Sequence, residues 1–511
     1  MPEVPAPRLS GARARDAGPS RAATLRRSAA RALLLATIVV ACTAPTARAE
    51  PASRAAPTGT ADPGAPAAAD LSDSPEDSAA SAPAPAESLS RDEADDVAAT
   101  RRLSVARGEG LAVAVRRLRM RWWLGDGLRY EIRRGLDLPG RVGLPVDSVE
   151  LEGRVGLRLS TDVGGFFPRG EVPDPGTRFE VRRAFLYTTG EFRLLRPVFY
   201  KLSAGGIGDR PYWDDLYVGV RDVRWLGTVR VGQFDAPMSL ELLSGSSNYQ
   251  FMEAGSPVQA FASSLKVGIE SHSHRRDGRA TWTIGLFRDG QRADVGDDTD
   301  SPLRLVGRAT GLLVDPGEGE GWLVHAGGSA SFVLSTGDRV RYRSRPESFL
   351  VGYLVDTGDI DTRTAYPVGA ELAVTRGPFT AQSEWLGSWV DATDSGALGF
   401  GGVYGYAAWR LTGESRPYDS AAGRFSSAPP RRDFRPFEGG WGAWEIAARF
   451  SWVDLSDGPV RGGRMVSWSG GLNWIWNRRI RFFLDGQVAR AWDGARDGRL
   501  GILQARFQLV I

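Results

Sequence analysis

Six basic side chains stand where a period-two pattern would aim them to one side of a sheet. Arg158 lies in VGLRLS between Leu157 and Leu159, and Arg230, in VRVGQF, separates Val229 from Val231. Lys266, in SLKVGIES, shares a face with Glu270 and opposes Leu265, Val267 and Ile269. Arg304 and Arg308, in LRLVGRATG, oppose Leu303, Leu305, Gly307 and Ala309, and Arg449 follows Ala448 in AARFSW. Successive strand residues point to opposite faces, so such alternation separates a wet side from an oily one. An arginine fork donates two parallel hydrogen bonds to an oxyanion and keeps its charge at neutral pH. A row of such forks along a water-filled wall would concentrate small anions and lower their entry barrier. Each of the six could instead be a loop charge or the partner of an acid, and a slip of one residue inverts the face.

Other chemistry is thinly represented. His272-Ser273-His274 places two imidazoles on one strand face, but no third metal ligand is evident, and a solvated strand end is the simpler reading. Asp294, Asp297, Asp298 and Asp300 form an acidic cluster that a calcium ion could bind, though a solvated loop explains it as well. No metalloprotease, nucleophile-elbow or phosphate-loop motif occurs. The third histidine, His325, stands alone in sequence. We therefore expect no enzyme, no metal and no cofactor.

The elements that would carry the basic residues are strands. In WTIGLFRDG, Trp282, Ile284 and Leu286 share a face. In RIRFFLDG, Ile480, Phe482 and Leu484 oppose Arg481 and Asp485. In LQARFQLVI, Leu503, Ala505, Phe507, Leu509 and Ile511 oppose Gln504, Arg506 and Gln508. Leu216 to Phe234 reads as a hairpin with a tight turn near Arg221-Asp222. From Arg101 onward no long helical period interrupts this pattern, and no stretch approaches the ~18 apolar residues of a membrane helix.

Charge and composition divide the rest of the chain. Residues 1–49 carry net +6, residues 50–100 net −9 and residues 101–511 net +6, giving +3 overall, too weak a positive balance for a nucleic-acid footprint. Lys201 and Lys266 are the only lysines, so almost all positive charge is arginine. The single cysteine, Cys42, rules out an intrachain disulfide. Arg26, Arg27 and Arg31 precede the apolar run Ala32 to Ala44 and then Ala47-Arg48-Ala49, which reads as a signal peptide over 1–49 with the mature chain starting at Glu50. Val39-Val40-Ala41-Cys42 offers the alternative of lipidation at Cys42. Residues 50–100, rich in Ala, Pro, Ser, Asp and Glu, read as an acidic disordered linker.

An exported chain with some four hundred residues of alternating strands, and aromatic residues such as Trp282, Trp385, Trp389, Trp452 and Trp476 near strand ends, fits one architecture. It is all-β: a transmembrane antiparallel β-barrel over 101–511. Lipid offers no hydrogen-bond partners, so a membrane sheet must close on itself. At about 25 residues per strand and connection, the length gives about 16 strands, the size that encloses an aqueous channel. The terminal strand would then pair with the first and close the ring.

Five stretches resemble the phosphate-selective porin O and P family, in the family's order: FEVRRAFLYTTGEF (Phe179 to Phe192), LGTVRVGQFDAPMSLELLSGSSNYQFMEAG (Leu226 to Gly255), GPFTAQSEW (Gly377 to Trp385), LTGESRPYDSAAGRF (Leu411 to Phe425) and GGWGAWEIAARFSWVDLSDG (Gly439 to Gly458). The resemblance implies a 16-stranded barrel in the outer membrane, in contact with its lipid, a homotrimer passing small anions. It also implies a loop around Ser244 to Ser264 that folds inward to narrow the pore. As in outer-membrane barrels generally, the terminal strand resembles the signal read by the barrel-insertion machinery, although its last residue is Ile511 where an aromatic is usual. A scarcity of lysine leaves phosphate preference and a broader anion or general pore both open. Two further readings stand beside the channel: a structural envelope anchor working through the acidic linker, and a barrel hydrolase using a histidine.

Overall fold

The stretch Ala443–Asp457, AWEIAARFSWVDLSD, shows how the wall is built. Ala443, Glu445, Ala447, Arg449, Ser451, Val453 and Leu455 are buried, whereas Ile446 is 46 % exposed on the opposite face. Buried here means turned into a barrel, and the exposed side is the apolar one. Leu186, Ile269, Ile284, Leu372, Trp468, Leu484, Val488 and Leu503 are likewise exposed around the outside. That inversion of the soluble pattern is what lipid as a solvent requires.

The structure, a computed structural model, describes residues 114–511 apart from 126, 138–148, 194–195, 208–209, 263–264, 290–302, 318–320 and 334–337. The expected signal peptide, Cys42, the linker and the aspartates 294–300 lie outside the described residues.

A hairpin of β1 (Ala114–Gly125) and β2 (Gly127–Asp137) comes first. The wall then runs through β3 (Val149–Gly170), β4 (Arg178–Arg193), β5 (Pro197–Ile207), β6 (Arg210–Val223), β7 (Gly227–Phe234) and β8 (Lys266–His274). It continues through β9 (Ala280–Asp289), β10 (Arg304–Val314), β11 (Leu323–Val333) with its short continuation β12 (Asp338–Val340), a small inner hairpin of β13 (Arg343–Ser344) and β14 (Val355–Asp356), then β15 (Ile360–Arg376), β16 (Phe379–Ala392) and β17 (Gly396–Arg410). A second small hairpin, β18 (Tyr418–Asp419) with β19 (Arg424–Phe425), precedes β20 (Ala443–Asp457), β21 (Val460–Ile475), β22 (Ile480–Trp492) and β23 (Asp497–Val510). Each wall strand pairs antiparallel with its neighbours, and β23 returns to β3, so sixteen strands form a closed ring.

Two sequence readings need correction. The ring closes on β3, not on the first strand of the 101–511 segment, and the barrel begins at Val149. The edge of β3 is shared: residues 158–170 pair with β23, while Val149–Val155 pair with β2, so the leading hairpin continues the wall where the last strand ends. The turn read at Arg221-Asp222 lies at 224–226 instead. A bulge between Val220 and Val223 absorbs the earlier residues, with Asp222 at φ 59°.

Closure is reinforced at the last residue. Ile511 donates its N–H to the Leu157 carbonyl at 2.8 Å, and its own oxygen accepts from the Leu157 N–H at 3.1 Å and the Tyr187 hydroxyl at 2.8 Å. The rim that carries the C-terminus has short turns at 224–226, 275–279, 377–378 and 476–479, with 411–442 as its long exception. The opposite rim has short turns at 393–395, 458–459 and 493–496 but carries two long connections, 235–265 and 334–359. Short turns mark the periplasmic side of such barrels, so the C-terminal rim faces the periplasm.

A side chain at Gly156 would meet this seam, since its Cβ would stand 2.1 Å from the Ile511 oxygen and 2.4 Å from the Tyr187 ring. Gly156→Val is therefore expected to lose most of the folded, heat-modifiable form on unheated gels, because overpacking of about 1–3 kcal/mol falls on the closing hydrogen bonds. Gly165→Val, where nothing lies within 4 Å, should fold like the parent.

Candidate functional site

The barrel's interior is far from empty. The connection 235–265 leaves β7, turns inward and crosses the lumen through α1 (Leu240–Ser244) and α2 (Ser256–Phe261). Part of the inner wall is apolar, and this loop covers it: Phe251, Val258 and Phe261 belong to one buried cluster with Leu386, Phe400 and Tyr404. The inward loop thus begins at residue 235, ahead of the Ser244 to Ser264 range expected from sequence. Burial of its phenylalanines supplies roughly 1.5–3 kcal/mol per side chain.

Polar groups of the wall fix its path. The Glu384 carboxylate accepts from the N–H groups of Leu240 and Glu241 at 2.9 and 2.8 Å, filling donors that the start of α1 leaves open. Asp485 accepts from the Met252 N–H at 2.9 Å, and Asn473 donates to the Gln250 carbonyl at 2.8 Å. The second long connection folds inward too and brings Glu347 beneath α2. Glu347 accepts from Arg449 at 3.0 and 2.6 Å, from Ser469 at 3.1 Å, from the Ser256 N–H at 3.1 Å and from the Ser451 hydroxyl. Its backbone holds φ 52°, a conformation a non-glycine residue keeps only when its surroundings enforce it.

From the periplasmic rim, the first part of 411–442 rises to meet the loop. Arg416 donates to the Tyr406 hydroxyl at 2.6 Å and to the Asn248 carbonyl at 3.3 Å. Arg424 donates to the Leu243 carbonyl at 3.1 Å, and the Ser427 N–H to the Asn248 side-chain oxygen at 3.1 Å. His325, fully buried, bonds the Tyr418 hydroxyl at 2.8 Å and Glu371 at 2.9 Å, so this insert is clamped to the wall.

The six basic residues singled out by alternation lie on the inward parity of their strands, and the structure separates them. Arg230 and Arg308 border the same cavity of ≈ 810 Å³ near the periplasmic rim. Both are ion-paired, Arg230 to Glu270 at 2.6 Å and Arg308 to Glu371 at 2.6 Å. Arg449 is buried on the far wall, beneath the loop, locked to Glu347. Lys266 is buried, and Arg304 is half-buried at the start of β10. Arg158 reaches the loop at Ser246, 3.3 Å away, and has no carboxylate partner among the described residues. The two histidines of the 272–274 pair also diverge in role: His272 bonds Thr283 and the Ala421 carbonyl, at 2.8 and 2.7 Å.

Other arginines gather where the sequence reading did not look. Glu253, on the loop, receives Arg182 at 2.8 and 3.0 Å and Arg506 at 2.6 Å, with Arg183 at 3.8 Å. Arg506 also grips Asp162 at 2.7 Å through two bonds. Alternation in LQARFQLVI already put Arg506 on the polar face; its partners lie hundreds of residues away. Burial pushes the Glu253 carboxyl up, but Arg182, Arg183 and Arg506 together hold it well below the usual carboxylate range.

The cavity itself is lined by six arginines, Arg129, Arg154, Arg221, Arg230, Arg308 and Arg424, against four carboxylates, Glu152, Glu191, Glu270 and Asp419. Three of these arginines, 221, 230 and 308, are spent on ion pairs. Arg129, Arg154 and Arg424 have no carboxylate partner among the described residues and face the water. The chemistry that this lining offers is multi-point attraction of small anions.

Among known proteins, the family described as phosphate-selective porin O and P matches residues 154–510. An uncharacterized protein of Caulobacter vibrioides is 28% identical, covering 69% of this chain and 72% of the relative. Porin O of Pseudomonas aeruginosa is 25% identical, covering 61% of this chain and 74% of the relative. Among solved structures, an anion-selective porin from Comamonas acidovorans aligns with TM-score 0.44 at 9% identity, over 70% of this chain and 100% of that one.

Two outcomes test the anchoring network. Arg449→Met leaves Glu347 buried without its partner, a loss of about 3–5 kcal/mol, and should lower the melting temperature and expose 235–265 to protease. The Glu253 carboxyl, depressed in the folded state, contributes stability that is complete above the ordinary carboxylate range and vanishes only as pH falls through its lowered value. The loop should therefore resist protease down to mildly acidic pH, and Glu253→Gln should remove that protection at every pH.

Proposed function

The chain belongs to the phosphate-selective porin O and P family and is an outer-membrane porin, and from that premise we propose that it passes small anions by passive diffusion. The observation that carries this reading is the charge balance of the periplasmic cavity: six arginines to four carboxylates, with Arg129, Arg154 and Arg424 lacking a carboxylate partner among the described residues. Inside the barrel most other charges cancel. The acids under the loop are filled by backbone N–H groups or guanidinium groups, so the net attraction for solute falls to the few cations that keep a water-facing fork.

In this reading the six arginines and lysines picked from sequence divide by task. Arg158 acts on permeating anions beside the loop, while Arg230, held by Glu270, shapes the wall of the periplasmic cavity. Arg308 and Arg449 serve mainly to hold the inserts. Lys266 and Arg304 line the intervening wall. The description of the matching family, phosphate-selective porin O and P, supports phosphate-type anions as one solute class. Arginine rather than lysine would provide their contacts here, since Lys201 is bound to Asp215. We infer a homotrimer as the working unit.

A passive channel also fits the histidines better than hydrolysis does. His325 is enclosed by Tyr418, Phe425, Glu371 and Arg308, leaving no room for a substrate. The anchor reading rests on residues 50–100, outside the described residues.

The test is single-channel recording of the purified protein in planar bilayers across a potassium chloride gradient. The expected result is discrete conductance with an anion-selective reversal potential, reduced by added phosphate. Arg154→Gln combined with Arg424→Gln should lower the chloride-to-potassium permeability ratio roughly fivefold, as loss of local positive potential predicts. Unselective steps would overturn the anion reading, and the absence of conductance from folded barrels would favour the anchor.

A further inference from the structure

The second part of 411–442 does something different from the first. After residues 411–430 have entered the lumen, the chain passes outward over the periplasmic rim. The Phe434 N–H donates to the Trp476 carbonyl at 2.7 Å. The Phe434 ring stacks on Trp476 at 4.7 Å and meets Trp474 edge-on at 4.9 Å. The Trp474 indole N–H donates to the Trp441 carbonyl at 2.9 Å. Between these ties the chain forms a tight loop, with Arg435 and Gly440 exchanging backbone hydrogen bonds at 2.8 and 3.0 Å and Gly439 left-handed at φ 75°. Phe437 stands at its tip, 101 % exposed, and Trp441 beside it is 64 % exposed.

We propose that residues 431–441 form a foot that rests on the inner leaflet of the outer membrane, with Phe437 and Trp441 inserted among phospholipids and neighbouring arginines on their headgroup phosphates. Three observations favour a lipid surface as occupant. The foot is continuous with the outward aromatic band of Trp444, Trp474, Trp476, Phe482 and Phe507, whose rings lie 4.9–5.8 Å apart in sequence around the rim. Aromatic rings with one polar end collect at that membrane depth. The loop and the adjoining turn 476–479 carry Arg431, Arg432, Arg435, Arg478 and Arg479 against Asp433 and Glu438, a positive surplus suited to phosphate. Finally, the ordered backbone presents Phe437 away from the protein, so the exposed ring costs little further ordering when it enters lipid.

The arrangement also ties the lumen insert to the membrane, because one connection has its first part clamped at His325 and its second part on the lipid. Unlike the anion reading, it does not depend on what the pore conducts.

The test places a polarity-sensitive nitrobenzoxadiazole label at Phe437→Cys in the full chain carrying Cys42→Ser, reconstituted in phosphatidylethanolamine and phosphatidylglycerol vesicles. The expected emission is blue-shifted and quenched at least about twofold by lipids doxyl-labelled near the headgroup. Arg432→Gln with Arg478→Gln should move the emission toward its value in water while heat-modifiable mobility is retained. Water-like, unquenched emission would overturn the proposal. A blue shift without lipid quenching would also overturn it, giving the surface to a second copy of the chain. Emission unchanged by the arginine substitutions would overturn the role of headgroup phosphate.

Discussion

Everything in this protein depends on one constraint: in lipid, no backbone N–H or C=O of a sheet can be left without a partner. The ring satisfies it only because β23 finds β3, and the join is carried to the last residue, where Ile511 exchanges backbone bonds with Leu157. The leading hairpin then takes over the free edge of β3 below the seam. With the backbone closed, side chains are free to sort by solvent, apolar outward and polar inward, and the interior becomes available for loops and charge.

The interior obeys a second constraint. A guanidinium or carboxylate removed from water needs a partner, and the lumen meets this by pairing strand arginines with acids on inserted segments. Arg449 with Glu347, and Arg506 and Arg182 with Glu253, are such links, and Arg308, paired to Glu371 of the wall, also donates to the Gly423 carbonyl of an insert. The charges that give the loops their fixed path are therefore mostly unavailable to solute. In the reading proposed above, selectivity falls to the remainder, the forks of Arg129, Arg154 and Arg424 at the periplasmic cavity and Arg158 beside the loop. A rich supply of arginine is compatible with a weak, releasable affinity, which conduction needs.

Connection 411–442 joins these two environments. Its inner part completes the narrowing of the lumen from the periplasmic side, through Tyr418, Arg416 and Arg424. Its outer part lies against the aromatic band, through Phe434 and Trp441. The barrel wall between them is a single layer of sheet, so a few residues suffice to pass from water to membrane.

Period-two alternation determined a great deal. It gave the strand class and the face of residues such as Arg506, Arg308 and Glu270, because the pleat fixes direction from sequence parity alone, while chain length gave the strand number. Parity could not foresee bulges: Asp222 reads as a turn residue and is a kink in β6, with the turn at 224–226. Nor could it say where the wall begins, since β2 and β23 share one edge of β3 and only closure assigns each its part. Least legible was pairing. Arg506 and Glu253 are 253 positions apart, and Arg449 and Glu347 are 102 apart, so no local pattern marks them. Between bulges, the sequence by itself determined which way a strand side chain would point; the tertiary structure decided which of those charges would meet an acid, because electrostatic pairing depends on distance in space and the ring brings distant strands and loops into one small volume.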